Sequence, residues 1–331
     1  MIEIKGVERV GILCGVDLCV EGKGIHGVLG TKGAGKSALA RIITGCEDAD
    51  AGSVTVGERQ MSRKNKAAKR KIRLVPTCLE LHGTVTPVEY LDLVGDCMGI
   101  QPDKRYRQIK EAVELVGIED VQRRSFSSLG ASARCRLSLA AALLGNPEYI
   151  VLDDPFSLLE GTEQAQIYEL LDMLGRIKTL VIFSHKASEV KRLCKDVAIL
   201  HGGKIALNGN IAEIEQKINA TAQTYVTVRG EGDRIIEAIR TLDCVVDAKI
   251  TSEEAGGTVC VSVEHVPDDM IKDKLFGALA AISSPMLSVK SVLLTLDDVF
   301  YSFAASEKND GAEETAQKPK RANKQERGER I

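Results

Sequence analysis

Tryptophan is absent from the 331 residues, and aromatic side chains make up only 4% of them. Surfaces that hold single-stranded nucleic acid stack bases on such rings, so no nucleic-acid partner is expected. No apolar run approaches the ~20 residues needed to cross a bilayer as a helix. The chain opens on the alternating Met1-Ile2-Glu3-Ile4-Lys5. That is a strand pattern and not a basic segment followed by an apolar one, so no secretory leader is expected. Charge of one sign is also lacking. A formal net charge of -3 gives no global pull toward nucleic acid or anionic lipid. Nine cysteines include no C-x-x-C pair and no ligand cluster, which excludes a zinc site or disulfide frame of the usual kind. Free thiols in this number suit a reducing cytoplasm.

What is present is a soluble globular composition long enough for two cores, organised around Gly30-Thr31-Lys32-Gly33-Ala34-Gly35-Lys36-Ser37. This fits G-x-x-x-x-G-K-[ST] in the context the pattern needs: a buried strand (Ile25 to Leu29) before it and an apolar-spaced helix from Ser37 after it. A helix N-terminus offers backbone N–H groups and a partial positive charge to a phosphate. Gly33 and Gly35 carry no Cβ to keep the backbone away from it. Lys36 reaches toward β- and γ-phosphates, and the Ser37 hydroxyl can ligate Mg²⁺. The expected nucleotide contacts are therefore Gly30, Thr31, Lys32, Gly33, Ala34, Gly35, Lys36, Ser37 and Ala38.

Along the chain, Ile2–Ile4, Val16–Val20 and Ser53–Val56 read as strands, and Gly45 as the end of the first helix. Arg63, Lys64, Lys66, Lys69, Arg70, Lys71 and Arg73 form a basic run, read either as a solvated helix face or as a contact for lipid headgroups. A strand ending at Pro76 precedes a helical insertion covering Pro87–Val94 and Ile109–Val116. Leu137–Leu144 is apolar all round and so predicts a buried helix. Tyr149-Ile150-Val151-Leu152 leads into Asp153 and Asp154, Leu180–Phe183 leads into Ser184-His185, and a hairpin turns across Gly202-Gly203. Apolar strands alternating with helices predict a parallel α/β core. From about residue 216 the order becomes β-α-β-β-α-β, that of a ferredoxin-like unit. Thr295 is placed to cap a short helix at Leu296-Asp297-Asp298. After Ala304 the composition predicts disorder. The basic Lys318, Lys320, Arg321 and Lys324 there read as a solubilising tail or as a membrane-surface contact.

A carboxylate that ends an apolar strand is costly to bury unless it meets a cation or a donor. Asp153 is thus a candidate Mg²⁺ ligand together with Ser37. Asp154 follows where a base can orient water, and His185 ends a neighbouring strand within reach of the same place. These strand ends belong on the phosphate-loop edge of a parallel sheet.

The order of the phosphate loop, Leu129-Gly130-Ala131-Ser132-Ala133, Asp153-Asp154-Pro155, Ser157-Leu158-Leu159-Glu160 and Ser184-His185 resembles the nucleotide-binding subunits of ATP-binding cassette (ABC) transporters. The C-terminal unit ending in Leu296-Asp297-Asp298-Val299-Phe300 resembles that of type-two ABC exporter ATPases. The resemblance implies a P-loop cassette with a helical insertion over 1–215, a small ferredoxin-like α+β domain over 216–304 and a disordered tail over 305–331. It implies ATP and Mg²⁺ as ligands, with catalytic roles for Asp154 and His185. A second nucleotide-binding subunit would close a head-to-tail sandwich over two ATP molecules, the dimer being homo- or heteromeric. A separate membrane-spanning permease would be docked through the insertion and the Thr77 region. The chain would then lie peripherally on the cytoplasmic face of the cell membrane.

Four positions depart from the family pattern. Its Leu-Ser-Gly-Gly-Gln signature reads Leu129-Gly130-Ala131-Ser132-Ala133, without the hydroxyl that the second position supplies. A shifted register through Ser128-Leu129-Gly130 restores that hydroxyl but needs two extra residues before Arg136. The catalytic Glu is Asp154, shorter by one C–C bond of about 1.5 Å. The Gln after the Pro76 strand is Thr77, and the adenine-stacking aromatic is Val10. Hydrolysis is expected to be weak. An ATP-binding regulatory subunit that hardly cleaves ATP is the alternative, and a soluble factor acting on ribosomes or DNA is a third.

Overall fold

The computed structural model describes residues 1–81, 84–218, 222–254, 257–268, 270–292 and 295–300. The expected tail from 305, with its four basic residues, lies outside the described residues, as does the end of the expected last strand at Leu293.

The N-terminal region runs β1 (Ile2–Arg9), β2 (Leu13–Val20), β3 (Gly24–Gly30), α1 (Lys36–Ile43), β4 (Ala51–Val56), β5 (Arg59–Gln60), α2 (Lys66–Lys69) and β6 (Ile72–Val75). A helical layer follows with α3 (Pro87–Cys97), α4 (Pro102–Val116) and α5 (Ala131–Leu143). The chain then alternates through β7 (Tyr149–Asp153), α6 (Gly161–Gly175), β8 (Thr179–Ser184), α7 (Ala187–Leu193), β9 (Asp196–His201), β10 (Lys204–Asn210) and α8 (Ile211–Ile218). The last unit is β11 (Ala222–Arg229), α9 (Gly232–Arg240), β12 (Val245–Glu254), β13 (Thr258–His265), α10 (Ile271–Ala281) and β14 (Met286–Val292).

The central sheet has the order β10-β9-β3-β8-β7-β6, parallel throughout except for the antiparallel edge strand β10. Its strands are covered on both faces, and their side chains alternate accordingly. Ile150, Leu152, Leu180 and Ile182 enter the core shared with the helical layer, α6 and α7. Val151, Val181 and Phe183 enter the core shared with α1 and the antiparallel sheet β2-β1-β4-β5. Leu137 and Leu139 to Ala142 are buried, as an all-round apolar α5 requires.

Local chemistry sets the helix ends. The Cys46 and Gly45 amides donate to the carbonyls of Arg41 and Ile42 at 2.8 and 3.0 Å, a Schellman close made possible by Gly45 at φ +70°. Thr86 and Glu89 cap each other reciprocally at the start of α3, with Pro87 in its first turn.

The basic run does not form one helix face. Its helical part is the four-residue α2, while Arg73 lies in β6 and Lys71 pairs with Glu148 at 3.0 Å. Pairing of Ile72 to Val75 with β7 outweighs helix propensity there, because both faces of β6 find apolar cover.

The last unit builds an antiparallel sheet of order β12-β13-β11-β14. Counted within the unit, the first strand lies between the third and the fourth, which is the split β-α-β arrangement. Ile235, Ile239, Leu275 and Leu279 of α9 and α10 cover the face carrying Val226, Val228, Val261 and Val263. Beyond β14, residues 296–300 are helical. At the expected Thr295 cap the return half of a capping box is formed: the Thr295 amide and hydroxyl both donate to the Asp298 carboxylate at 2.8 Å.

Leu296 and Phe300 are buried in the cassette core beside Ile211 and Ile214 of α8. Glu215 accepts from Lys191 Nζ of α7 at 2.7 Å and from the Leu296 amide at 3.2 Å. The Lys191 hydrogen bond foremost, with the Leu296 amide, holds the Glu215 carboxyl below its ordinary value against partial burial. A depressed carboxylate stabilises the fold above its unfolded value of about 4.3, and that contribution is lost as pH falls through the folded value. Amide exchange over 295–300, corrected for intrinsic rates, is expected to rise as the pH drops below that range. Glu215→Ala is expected to show the faster exchange already at neutral pH, and unchanged protection in that variant would refute the link.

Candidate nucleotide site

The parallel register brings four strand ends to one edge of the central sheet. Leu29 pairs with Ser184, Asp153 with Phe183, and Val75 with Leu152. The loops that leave this edge are therefore the 30–36 loop, the 76–79 segment, the turn at Asp154 and the turn at His185.

In the first loop Gly33 and Gly35 have φ of +91° and +97°, where side chains with a Cβ are strained. A Cβ on Gly35 would also stand 2.8 Å from Leu13 Cδ2. The loop runs straight into α1, whose first amides face its opening. Lys36 is 8% exposed, and its Nζ donates to Gly30 O at 2.8 Å and Thr31 O at 2.7 Å. The ammonium thus lies along the loop that the sequence pattern assigns to phosphates. Ala34 and Ala38 are buried beneath it, while Lys32 and Gly33 are exposed.

Ser37 and Asp153, 116 residues apart in sequence, meet at this edge. Ser37 Oγ donates to Asp153 Oδ1 at 3.0 Å. Asp153 is 7% exposed, so a buried carboxylate and a hydroxyl form one oxygen donor set. Among the described residues no group of three or more His, Cys, Asp or Glu converges. A cation here would take few protein oxygens and fill its remaining positions with phosphate and water, as Mg²⁺ commonly does.

Asp154 adopts φ +49°, unusual for a residue other than glycine. Its amide donates to Phe183 O at 2.9 Å, which holds the turn onto β8. One carboxylate oxygen, Oδ2, lies 2.9 Å from His185 Nδ1. The other, Oδ1, is buried without a hydrogen-bond partner among the described residues. With the Asp154 carboxylate ionised, the contact with His185 places a proton on Nδ1. An acceptor beside an imidazole is the arrangement that can hold and deprotonate a water.

Sequence reasoning anticipated Asp154 and His185 separately and missed what fixes their contact. Glu189 of α7 is 2% exposed, and its carboxylate accepts from Ser184 Oγ at 2.7 Å and Gln164 Nε2 at 3.2 Å. The Ser184 hydroxyl in turn accepts from the Lys186 amide at 3.0 Å, so the backbone on both sides of His185 is pinned. In the sequence Glu189 is an ordinary acidic residue in a first helical turn, and only its burial shows this role.

The departing positions are also placed. Gly130 is the N-cap of α5 and offers no side-chain cap. The Ser128 hydroxyl of the alternative register turns back to Ser125 O at 2.7 Å. Thr77 is exposed at the end of the segment after β6. Val10 is 86% exposed in the turn between β1 and β2, which its amide anchors to Asp50 at 2.8 Å.

A parallel sheet with a phosphate-loop helix, a helical layer and an antiparallel side sheet defines a P-loop nucleotide-binding cassette. The model of the family described as ABC transporter matches residues 13–157. The Nod factor export ATP-binding protein I of Rhizobium sp. (strain N33) is 30% identical over 245 residues, covering 72% of this chain and 80% of that protein. The linearmycin resistance ATP-binding protein LnrL of Bacillus subtilis (strain 168) is 27% identical, covering 79% and 84%. The methionine import ATP-binding protein MetN 2 of Listeria monocytogenes serotype 4b (strain F2365) is 28% identical, covering 77% and 79%. Among solved structures, the dimeric post-hydrolysis state of the ATP-binding cassette MJ0796 with ADP and Pi matches with a TM-score of 0.57 and 21% identity, over 63% of this chain and 98% of that one. The chain belongs to the ATP-binding subunits of ABC transporters, a family of ATPases. No helix among the described residues is long and apolar enough to cross a membrane.

Glu189→Ala removes the short bond from the buried Ser184 hydroxyl, leaving it the 3.4 Å contact to Lys186 O, and breaks the ion pair with Lys186, at a cost of about 1–3 kcal/mol. It is expected to lower the urea midpoint and to loosen residues 185–193 in hydrogen exchange, while Glu189→Gln keeps an acceptor and loses less.

Proposed function

We propose that this subunit binds Mg-ATP in the 30–38 loop and powers export through a separate membrane-spanning permease, with slow hydrolysis. The observation that carries the reading is the Ser37 Oγ to Asp153 Oδ1 contact at 3.0 Å beside the glycine loop and Lys36. Gly30, Thr31, Lys32, Gly33, Ala34, Gly35 and Ala38 wrap the phosphates with backbone and helix N-terminus, and Lys36 turns from the loop carbonyls to the β- and γ-phosphates. Ser37 and Asp153 hold Mg²⁺, which when bound neutralises charge on the phosphates. Asp154 takes a proton from the attacking water through its unpartnered oxygen, and His185 holds that carboxylate and faces the γ-phosphate.

Export is favoured by the likeness to the Nod factor export protein and by the C-terminal unit that ends in Leu296 to Phe300, although a methionine import protein matches over more of this chain, 77% against 72%. The accessory unit over 216–304 is read as a domain of its own between the 1–215 cassette and the 305–331 tail, with Leu296 and Phe300 returning to the cassette core. A second nucleotide-binding subunit supplies the other half of each ATP site. The permease docks on the helical layer and the Thr77 segment, which places the chain on the cytoplasmic face of the membrane.

Slow hydrolysis follows from the departures. A displacement on the order of 1 Å at a reacting group costs roughly 100-fold in rate, and Asp154 is shorter than Glu by more than that. Gly130 brings no hydroxyl to the partner's γ-phosphate, and Thr77 is too short to reach the metal and water. The same three positions favour a second reading, a regulatory subunit that closes on ATP and hardly cleaves it.

A purified homodimer is expected to retain Mg-ATP yet turn it over more slowly than about 1 s⁻¹. Lys36→Ala should abolish retention, and Asp154→Glu should raise kcat by roughly 10- to 100-fold. Failure to retain Mg-ATP at millimolar concentration would overturn the site. Faster wild-type turnover would remove the weak-hydrolysis part alone. Turnover within a permease complex, with the Lys36→Ala chain as control, separates the motor from the regulator.

A further inference from the structure

Between the sheet and the helical layer lies a cavity of about 240 Å³ whose wall includes Thr77 of the segment assigned above to permease docking, and whose interior is given no role there. Its walls are the segment after β6, the first two turns of α5 and the loop after β7. Leu79, Leu129 and Leu159 make it largely apolar. Arg134 brings its one cation, and no carboxylate lines it among the described residues. The Arg134 guanidinium carbon lies 4.8 Å over the Phe126 ring, and its Nε is buried without a hydrogen-bond partner among the described residues. No ion pair involves Arg134 among the described residues.

A guanidinium partly withdrawn from water, with no counter-charge and an unmet donor, carries a desolvation cost that an anion beside it relieves. Thr77, shorter than the Gln of the family pattern, is one of its lining residues. We infer that this cavity binds a small amphiphilic anion, with a compact apolar body among the leucines and a carboxylate against Arg134. The volume lies below the roughly 300–1,000 Å³ of drug-sized ligand sites, so the occupant is on the scale of a medium-chain carboxylate. Pro155 of its wall directly follows Asp154, so an occupant links the position of α5 to the turn that carries the Asp154–His185 pair. Binding at this site does not depend on the triphosphate reading, and its test uses no nucleotide.

The test uses the full chain with octanoate as the probe and site-resolved maleimide labelling as the readout. Cys78 is exposed and lines the cavity. Cys135 also lines it, but burial pushes its thiol up to about 11, leaving it unreactive. Octanoate is expected to slow labelling at Cys78 and to leave Cys46 and Cys97 unchanged, both exposed and outside the cavity. Octanol, which has no charge for Arg134, should need at least about tenfold more for the same protection, and Arg134→Leu should impose a similar loss on octanoate. Ala131→Leu, which fills the void and leaves Arg134 in place, should abolish protection in a chain that keeps its circular dichroism. No protection up to about 10 mM octanoate, equal protection by octanol, or undiminished protection in either variant would overturn the proposal.

Discussion

The site depends on parallel strand register. Leu29 against Ser184 and Asp153 against Phe183 are backbone pairings, and they alone decide that residues 31–37, 153, 154 and 185 share one edge. No local motif specifies that meeting. A slip of one residue in β7 would send Asp153 to the opposite face of the sheet. The alternation of Ile150 and Leu152 toward one core with Val151 toward the other makes such a slip expensive, because both faces of β7 are buried. Apolar packing thus fixes polar geometry, and the Ser37–Asp153 contact at 3.0 Å is its direct product.

The fold was legible wherever periodicity and punctuation agreed. The glycine loop announced α1, the all-apolar stretch announced α5, and the two glycines announced the β9–β10 turn. In the last unit the order β-α-β-β-α-β read from the sequence is the order of β11 to β14 with α9 and α10. The strand over Ile72 to Val75 was read from its apolar residues, whereas the reading of the basic run as one helix face failed because charge describes solvation and says nothing of strand pairing. Of the site, the phosphate loop and the strand-ending acids could be read directly, since each rests on a local pattern. The Asp154–His185 contact and its support by Glu189 could not. They join residues from separate strands, and a buried Glu in a first helical turn is written no differently from an exposed one.

The departures from the family pattern take on physical meaning in this setting. Asp154 keeps its grip on His185 although it is short, because its left-handed backbone and its amide bond to Phe183 O lean the turn onto β8. Gly130 likewise preserves the start of α5 while removing a hydroxyl from it. In each case the scaffold is intact and the side chain at the departing position is the smaller one.

The return of Leu296 and Phe300 to the cassette changes what the accessory sheet is mechanically. The sheet leaves the cassette after α8 and comes back onto α8, so its two ends are anchored side by side and it behaves as a staple-backed loop in place of a pendant on one hinge. Shortening the chain before residue 295 would strip the lid from an oily recess formed by Ile211 and Ile214. A minimal cassette cut at the end of α8 would therefore be stickier than the intact chain, and its poor behaviour in solution would say nothing about the nucleotide site.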